Sequence, residues 1–407
     1  MLQRMNAPPI YLDNLATTQV DPRVLEAMLP YFTRHFGNPS SATHAYGWAA
    51  KEAVEKARAQ VAALIGATPP EIIFTSGATE ANNLALKGVA AFHRQRGNHL
   101  ISCVTEHKAV LDCCRRLENE GFGASYLPVD RWGRVDLEQL EAAISGQTIL
   151  LSVMAANNEI GTIQPLAEIG ALARSRGVLW HCDAAQAAGK IPLDVETLGV
   201  DLLAISGHKM YGPKGVGALY VRRRPRVRLL PLVDGGGQER GLRAGTLDVP
   251  GIVGLGMACE LAGRELEAEA GFIQLLRQAL WQGVSGSLGG VDLNGHPTSR
   301  LPGNLHLSFA GVDGAELLLA LPDLALSSGS ACTSGSAEPS HVLKAIGQQA
   351  PASLRFGLGR FNTREQIDIA AARVVAVVDH LRRRAGDHPG LHHQPALAGS
   401  ENRGSDP

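Results

Sequence analysis

From about residue 71 to 222, short apolar or β-branched runs alternate with helix-length segments: EIIFTSG, NHLISCV, ASYLPVD, TILLSVMAAN, VLWHCDAAQ, DLLAISGHK and GALYVRR. The runs lack the strict period-two alternation of a strand with one wet face. The pattern therefore predicts strands covered on both faces, in a mainly parallel seven-stranded sheet flanked by helices. Ligands in such sheets gather beyond the carboxyl ends of the strands. Thr79, His107, Asn158, Asp183 and His208 each fall at or just after the end of a run, so residues far apart in sequence are expected to converge.

After the Arg-rich stretch 222–228 and the glycine-rich GGGQERGLRAGT, a long helical pattern runs from about Pro250 to Gly283. A second α/β unit follows, in which NLHLSFAG, DLALSSGSA and SLRFGLGRF alternate with helical segments at 314–321 and 363–384. The expected organisation is a large domain over 15–260 and a smaller C-terminal α/β domain over 261–384 that recruits residues 1–14. Apolar periodicity ceases in 385–407, which reads as a polar, mobile tail.

Composition narrows the function. A chain of 407 residues is more than one core usually fills, and 45% hydrophobic with 19% charged residues is the balance of a folded globular protein. A formal net charge of −1 gives no reason to expect nucleic acid or an anionic membrane as partner, and favours a small-molecule site. The N-terminal MLQRMNAPPIYLDNLATTQ has no apolar signal core, and no later run has the length of a membrane span, so a cytoplasmic protein is expected. The six cysteines, Cys103, Cys113, Cys114, Cys182, Cys259 and Cys332, have neither the paired spacing of metal ligands nor the density of a disulfide scaffold. No metal site is expected, and most should be buried, reduced thiols.

Three segments carry chemistry. DLLAISGHKMYGPKGVG (201–217) ends a strand with Lys209 in a glycine-rich surround, where desolvation and cationic neighbours can free an amine to form an imine with a carbonyl cofactor. HCDAAQ (181–186) places Asp183 at another strand end, where a carboxylate can keep a pyridine nitrogen protonated and make the ring an electron sink. TSGATE (75–80) offers strand, tight turn and helix start, whose free N–H groups favour a phosphate. Singly, these are more often a solvated lysine, a helix cap and an empty turn; together they point to pyridoxal 5'-phosphate.

These segments, with TEHKAV, NNEIG and GGGQERGLRAGT, resemble the class V aminotransferase family of pyridoxal-phosphate enzymes, of fold type I. FGNPSSATH and SSGSACTSG narrow the resemblance to the cysteine desulfurases of the NifS/IscS type, with motifs in consistent order over roughly residues 10 to 384. The resemblance implies conversion of L-cysteine to L-alanine, with the sulfur passing as a persulfide to Cys332 in a small-residue stretch that has the composition of a mobile loop. It implies that Lys209 is the cofactor-linked lysine and proton carrier, Asp183 the pyridinium partner, and Gln186 a donor to the phenolic oxygen. His107 would stack on the ring and assist proton transfer. Ala78, Thr79, Ser206 and His208 would hold the phosphate. Asn158 would lie near the phenolic oxygen and the substrate carboxylate, Arg355 would grip that carboxylate, and Asn38 would line the same pocket. Thr246 would reach the partner's site across a homodimer. A sulfur-acceptor protein is implied, for iron–sulfur cluster or other thio-cofactor synthesis, and transient ligation of a cluster by Cys332 stays open. Related reactions, selenocysteine lysis or another class V reaction, and a non-catalytic assembly role are the competing readings. The polar ending GSENRGSDP differs from the docking segment with which relatives serving the assembly scaffold commonly finish.

Overall fold

A computed structural model describes residues 8–328, 340–348 and 352–387. The strands, in chain order, are β1 (Ile10–Tyr11), β2 (Ile72–Thr75), β3 (His99–Cys103), β4 (Gly123–Leu127), β5 (Thr148–Ser152), β6 (Leu179–Asp183), β7 (Leu202–Ser206), β8 (Gly217–Val221), β9 (Val291–Leu293), β10 (Asn304–Phe309), β11 (Leu324–Ala325) and β12 (Ala352–Gly357). Each of the seven apolar runs between 71 and 223 contributes one strand to a seven-stranded sheet in the order β2-β8-β7-β6-β5-β3-β4. Strand β8 is antiparallel to both its neighbours, β2 and β7; every other pairing is parallel.

The absence of alternation in those runs has its cause in apolar packing on both faces of the sheet, which together make up the first core. On one face Ile72, Phe74, Ile101, Leu203 and Ile205 pack against the helices Ala45–Leu64 and Val249–Ser285. On the other, Ile73, Leu100, Leu202 and Ala204 pack against Ala78–His93 and Lys108–Glu118. Successive residues of one strand thus serve opposite faces, and both must be apolar.

A second core lies around the antiparallel sheet β12-β10-β9, with β1 and β11 paired in parallel beside it. The long helix Val249–Ser285 joins the two: Val249 to Ala262 lie in the first core, Ile273 to Val284 in the second. The sequence pattern does not anticipate the short β9; within DLALSSGSA, among the described residues, Leu324 and Ala325 pair with Ile10 and Tyr11, and Ser327 makes an isolated bridge to Arg355. No helix among the described residues is long and apolar enough to cross a membrane.

Candidate active site

The carboxyl ends of the adjacent strands β6 and β7 set the centre of the site. Asp183 closes β6 and pairs in register with Ala204 of β7; three residues beyond the end of β7 comes Lys209. The Asp183 carboxylate is buried, with Oδ2 accepting from Asn82 Nδ2 at 2.6 Å and Oδ1 from the Ala185 N–H at 2.9 Å. Lys209 Nζ donates to the carbonyls of Leu15 and Ala16 at 2.8 and 2.6 Å. Both acceptors belong to the N-terminal segment, which is laid across the lysine turn: the Thr18 N–H donates to the His208 carbonyl, and Thr18 Oγ1 accepts from the Tyr211 N–H, a residue held at φ +64°.

At the edge of this centre the helix Ala78–His93 begins at Gly77 with no side-chain cap, so its first N–H groups point outward with the positive end of the helix dipole. Gly77 has φ +150°, open to glycine and rarely to other residues. A Cβ on Gly217, the first residue of β8, would come within 2.7 Å of Gly77 Cα and 2.4 Å of the Ile205 carbonyl oxygen. Two backbones therefore meet where the turn opens. Ser206 ends β7 nearby, its Oγ lying 3.9 Å from where a Gly77 Cβ would stand. His208 shares a 3.1 Å hydrogen bond with Thr17 Oγ1, and burial, then the charge of Lys209, bring its imidazole down to about 4. It is neutral at physiological pH.

His107 caps the helix Lys108–Glu118, its Nδ1 accepting from the Ala109 N–H at 3.1 Å. Desolvation lowers its pKa, Asp183 opposes that shift, and Lys209 and His341 add to it. The histidine, the carboxylate and the lysine thus lie within one another's electrostatic reach. Beneath it Glu106 is fully buried. Desolvation, with the charge of Asp183 added, raises its carboxyl well above the usual range, although Oε1 accepts from the Met154 N–H at 2.5 Å.

Arg355, on β12, enters from the second core. Nη2 donates to Asp13 Oδ1 at 3.0 Å and Nη1 to the Asn158 carbonyl at 3.1 Å, while Nε is buried without a partner. Asn158 is placed by its neighbour Asn157, whose Oδ1 accepts from the N–H groups of Glu159 and Ile160 and whose Nδ2 donates to the Thr105 carbonyl. Gln186 donates from Nε2 to the Leu15 carbonyl at 2.9 Å.

The structure therefore gathers Asp183, Gln186, Ser206, His208, Lys209, His107, Asn158 and Arg355, with Ala78 and Thr79 at the helix start. It does not extend that cluster to Asn38, an exposed residue whose side-chain oxygen accepts from the Ser40 N–H in a local turn. Thr246 is exposed at the end of the glycine-rich loop, which Arg243 ties to Glu80 of the Ala78–His93 helix through a 2.8 Å ion pair. Cys332 lies outside the described residues. The other five cysteines are free and buried, and burial raises the thiols of Cys103 and Cys259 to about 12. Sequence reasoning missed Asn82, Glu106, Asn157 and Asp13. The visible signal for Asn82 is a polar residue on the apolar stripe of ATEANNLALKG.

Comparison with known proteins agrees with this geometry. Residues 10–369 match the model of the family described as aminotransferase class-V. A cysteine desulfurase of Mus musculus is 58% identical over 377 residues, 92% of this chain and 82% of that protein. The cysteine desulfurase IscS of Rickettsia rickettsii (strain Iowa) is 56% identical over 377 residues, 92% of each. Among solved structures, a NifS-like protein superposes with a TM-score of 0.85 at 40% identity, covering 92% of this chain and all of that one.

Proposed function

The chain belongs to the class-V aminotransferase family and within it to the cysteine desulfurases, and from that premise we propose how its own residues divide the work. Pyridoxal phosphate, the cofactor the family implies, fits the residues present. An uncapped helix start and the close approach of Gly217 to Gly77 make room for a phosphate among backbone N–H groups. A buried carboxylate and a lysine amine stand at adjacent strand ends for the ring and its aldehyde. Ala78, Thr79, Ser206 and His208 would hold the phosphate, Asp183 the pyridine nitrogen, Lys209 the aldehyde carbon and Gln186 the phenolic oxygen. The bound cofactor would draw electrons from the substrate's α-carbon.

The rest is done by side chains. Arg355 orients L-cysteine by its carboxylate, with Asp13 and the Asn158 carbonyl fixing the plane of the guanidinium. Lys209, as an amine, takes and returns the α-proton, and His107, neutral at physiological pH, stands within reach to assist. Asn82 holds the Asp183 carboxylate in place through the hydrogen bond it donates to Oδ2. Cys332 takes the substrate sulfur: the carbon–sulfur bond breaks, a sulfur–sulfur bond forms, and the carbon gains a proton. L-Cysteine and one thiol thereby become L-alanine and one persulfide, without an external oxidant. The persulfide then passes to an acceptor protein. Exposure of Thr246 beside the Arg243–Glu80 pair supports a homodimer in which this threonine reaches the partner's phosphate site.

The observation that carries the reading is the placement of Asp183 at the end of β6 and of Lys209 three residues beyond the end of the adjacent β7. Purified protein given L-cysteine is expected to form alanine and a persulfide on Cys332. Cys332→Ala is expected to keep the cofactor's visible absorption and its change on adding cysteine while forming no persulfide. Full alanine production by that variant would remove Cys332 from the reaction.

A further inference from the structure

Lys190 has no part in the reaction described above, yet its side chain ends beside the site. It follows Gly189, whose φ of +71° turns the chain, and it lines a cavity with Leu15, Thr18, Tyr211 and Glu269. The cavity has room for little more than one water molecule. Lys190 Nζ donates to Gln186 Oε1 at 3.1 Å. The Nε2 of the same amide donates to the Leu15 carbonyl at 2.9 Å, and Lys209 Nζ donates to that same oxygen at 2.8 Å. Two amines are thus joined through one amide and one carbonyl oxygen.

We propose that Lys190 is a positioning residue whose charge is coupled to that of Lys209 through the bonded amide and carbonyl that hold the two amines together, each amine exchanging its proton with solvent, so that a charge on one disfavours a charge on the other. The inference rests on Lys209 being the cofactor-linked lysine. The charged groups around Lys190 come from three elements: Lys209 beyond β7, Arg355 on β12 and Glu269 on the long helix, the last ion-paired with Arg360 at 2.5 Å. The polar groups of Tyr211 and Gln186 complete the surround. Burial, then Lys209, push the Lys190 ammonium down to about 7; Arg355 acts in the same direction and Glu269 against it. Lys190 also contributes to the depression at His208, so its charge reaches the phosphate side as well. A low-dielectric site resists two like charges, and the second proton is held far more weakly than the first. When Lys209 gives up its charge, Lys190 takes one up and the potential over the site changes little. In either state Lys190 donates to Gln186 Oε1 and so fixes the orientation of the amide, whose Nε2 has one hydrogen for the Leu15 carbonyl and a second free for the phenolic oxygen.

The test has two arms. In the holoenzyme, the pH at which the cofactor's visible band shifts is measured for wild type, Lys190→Met and Lys190→Arg. Removing a neighbouring cation should move the midpoint up by about one pH unit or more, and arginine should return it to the wild-type position or below. An unchanged midpoint in Lys190→Met overturns the proposal. In the full chain stripped of cofactor, lysine Cε resonances are titrated, with Lys190 assigned by its loss in Lys190→Met. The Lys190 signal should titrate near neutral pH and move up by about one unit or more in Lys209→Ala; an ordinary lysine titration, the same with and without Lys209, overturns it. Borohydride reduction followed by peptide mass analysis separates this outcome from failure of the underlying reading, since a pyridoxyl mass on Lys209 does not depend on Lys190.

Discussion

At the residue scale, the site depends on side chains that hold its charged groups in place. Asp183 and Lys209 stand at strand ends in HCDAAQ and ISGHK, where a sheet covered on both faces exposes its functional edge. Asn82 sits inside a helix, and only the fold brings its Nδ2 to 2.6 Å from Asp183 Oδ2. A hydrogen bond to an ionised group contributes about 1.5–3 kcal/mol. Asn82→Ala should therefore weaken cofactor binding by roughly tenfold to a hundredfold, read by titrating stripped protein with pyridoxal phosphate. Affinity equal to wild type would show that Asp183 needs no such support. Glu106 escaped notice for a related reason: TEHKAV places it beside His107, but nothing in the string says that its carboxyl is fully buried.

At the element scale, periodicity located all seven strands of the main sheet and the long helix, whose ends at Val249 and Ser285 lie close to the expected Pro250 and Gly283. It missed pairings made by very short segments. β1 is two residues long and pairs across more than three hundred positions with β11, itself two residues inside the run DLALSSGSA, so β1 has no local pattern to read. Glycine shows the same division between local and long-range causes. Gly217 meets the Gly77 backbone and the Ile205 carbonyl, so Gly217→Ala should push the phosphate-binding turn aside, lowering the melting temperature and the cofactor content together. Gly271, in the long helix, has open space where its Cβ would stand. Gly271→Ala should raise stability by about 0.5–1 kcal/mol in thermal or denaturant unfolding and leave the cofactor content unchanged. Equal behaviour of the two variants would contradict the close approach at Gly77.

At the scale of the whole molecule, the two cores meet at the site, and each carries a buried histidine held neutral. His181 lies on β6 and His306 on β10; burial, joined at His306 by the charges of Arg355 and Arg300, lowers both to about 3. An unfolded histidine takes its proton near pH 6.5, so below that value the unfolded chain binds more protons than the folded one. Stability is unaffected by these groups above about pH 6.5 and falls as the pH drops from there toward 3, each histidine removing roughly 1.4 kcal/mol per pH unit. Glu106 acts in the opposite sense: its raised carboxyl favours folding at low pH, and that contribution is lost as the pH rises above the ordinary glutamate value. Because these contributions oppose each other in the same window, the test is a difference: replacing His181 by a neutral residue that keeps the fold should raise the melting temperature at pH 5 relative to that at pH 7.5 when each is compared with wild type, and a difference that does not change between the two pH values would contradict a neutral His181.

The claim on which the account turns is that the amine of Lys209 holds the aldehyde of the cofactor, opposite the carboxylate of Asp183. Reduction of the purified protein with borohydride, followed by proteolysis and peptide mass analysis, tests it directly. The account predicts one pyridoxyl-phosphate addition, located on Lys209 and absent from Lys209→Ala. Addition at another lysine, or none at all in protein that still turns cysteine into alanine, would contradict it.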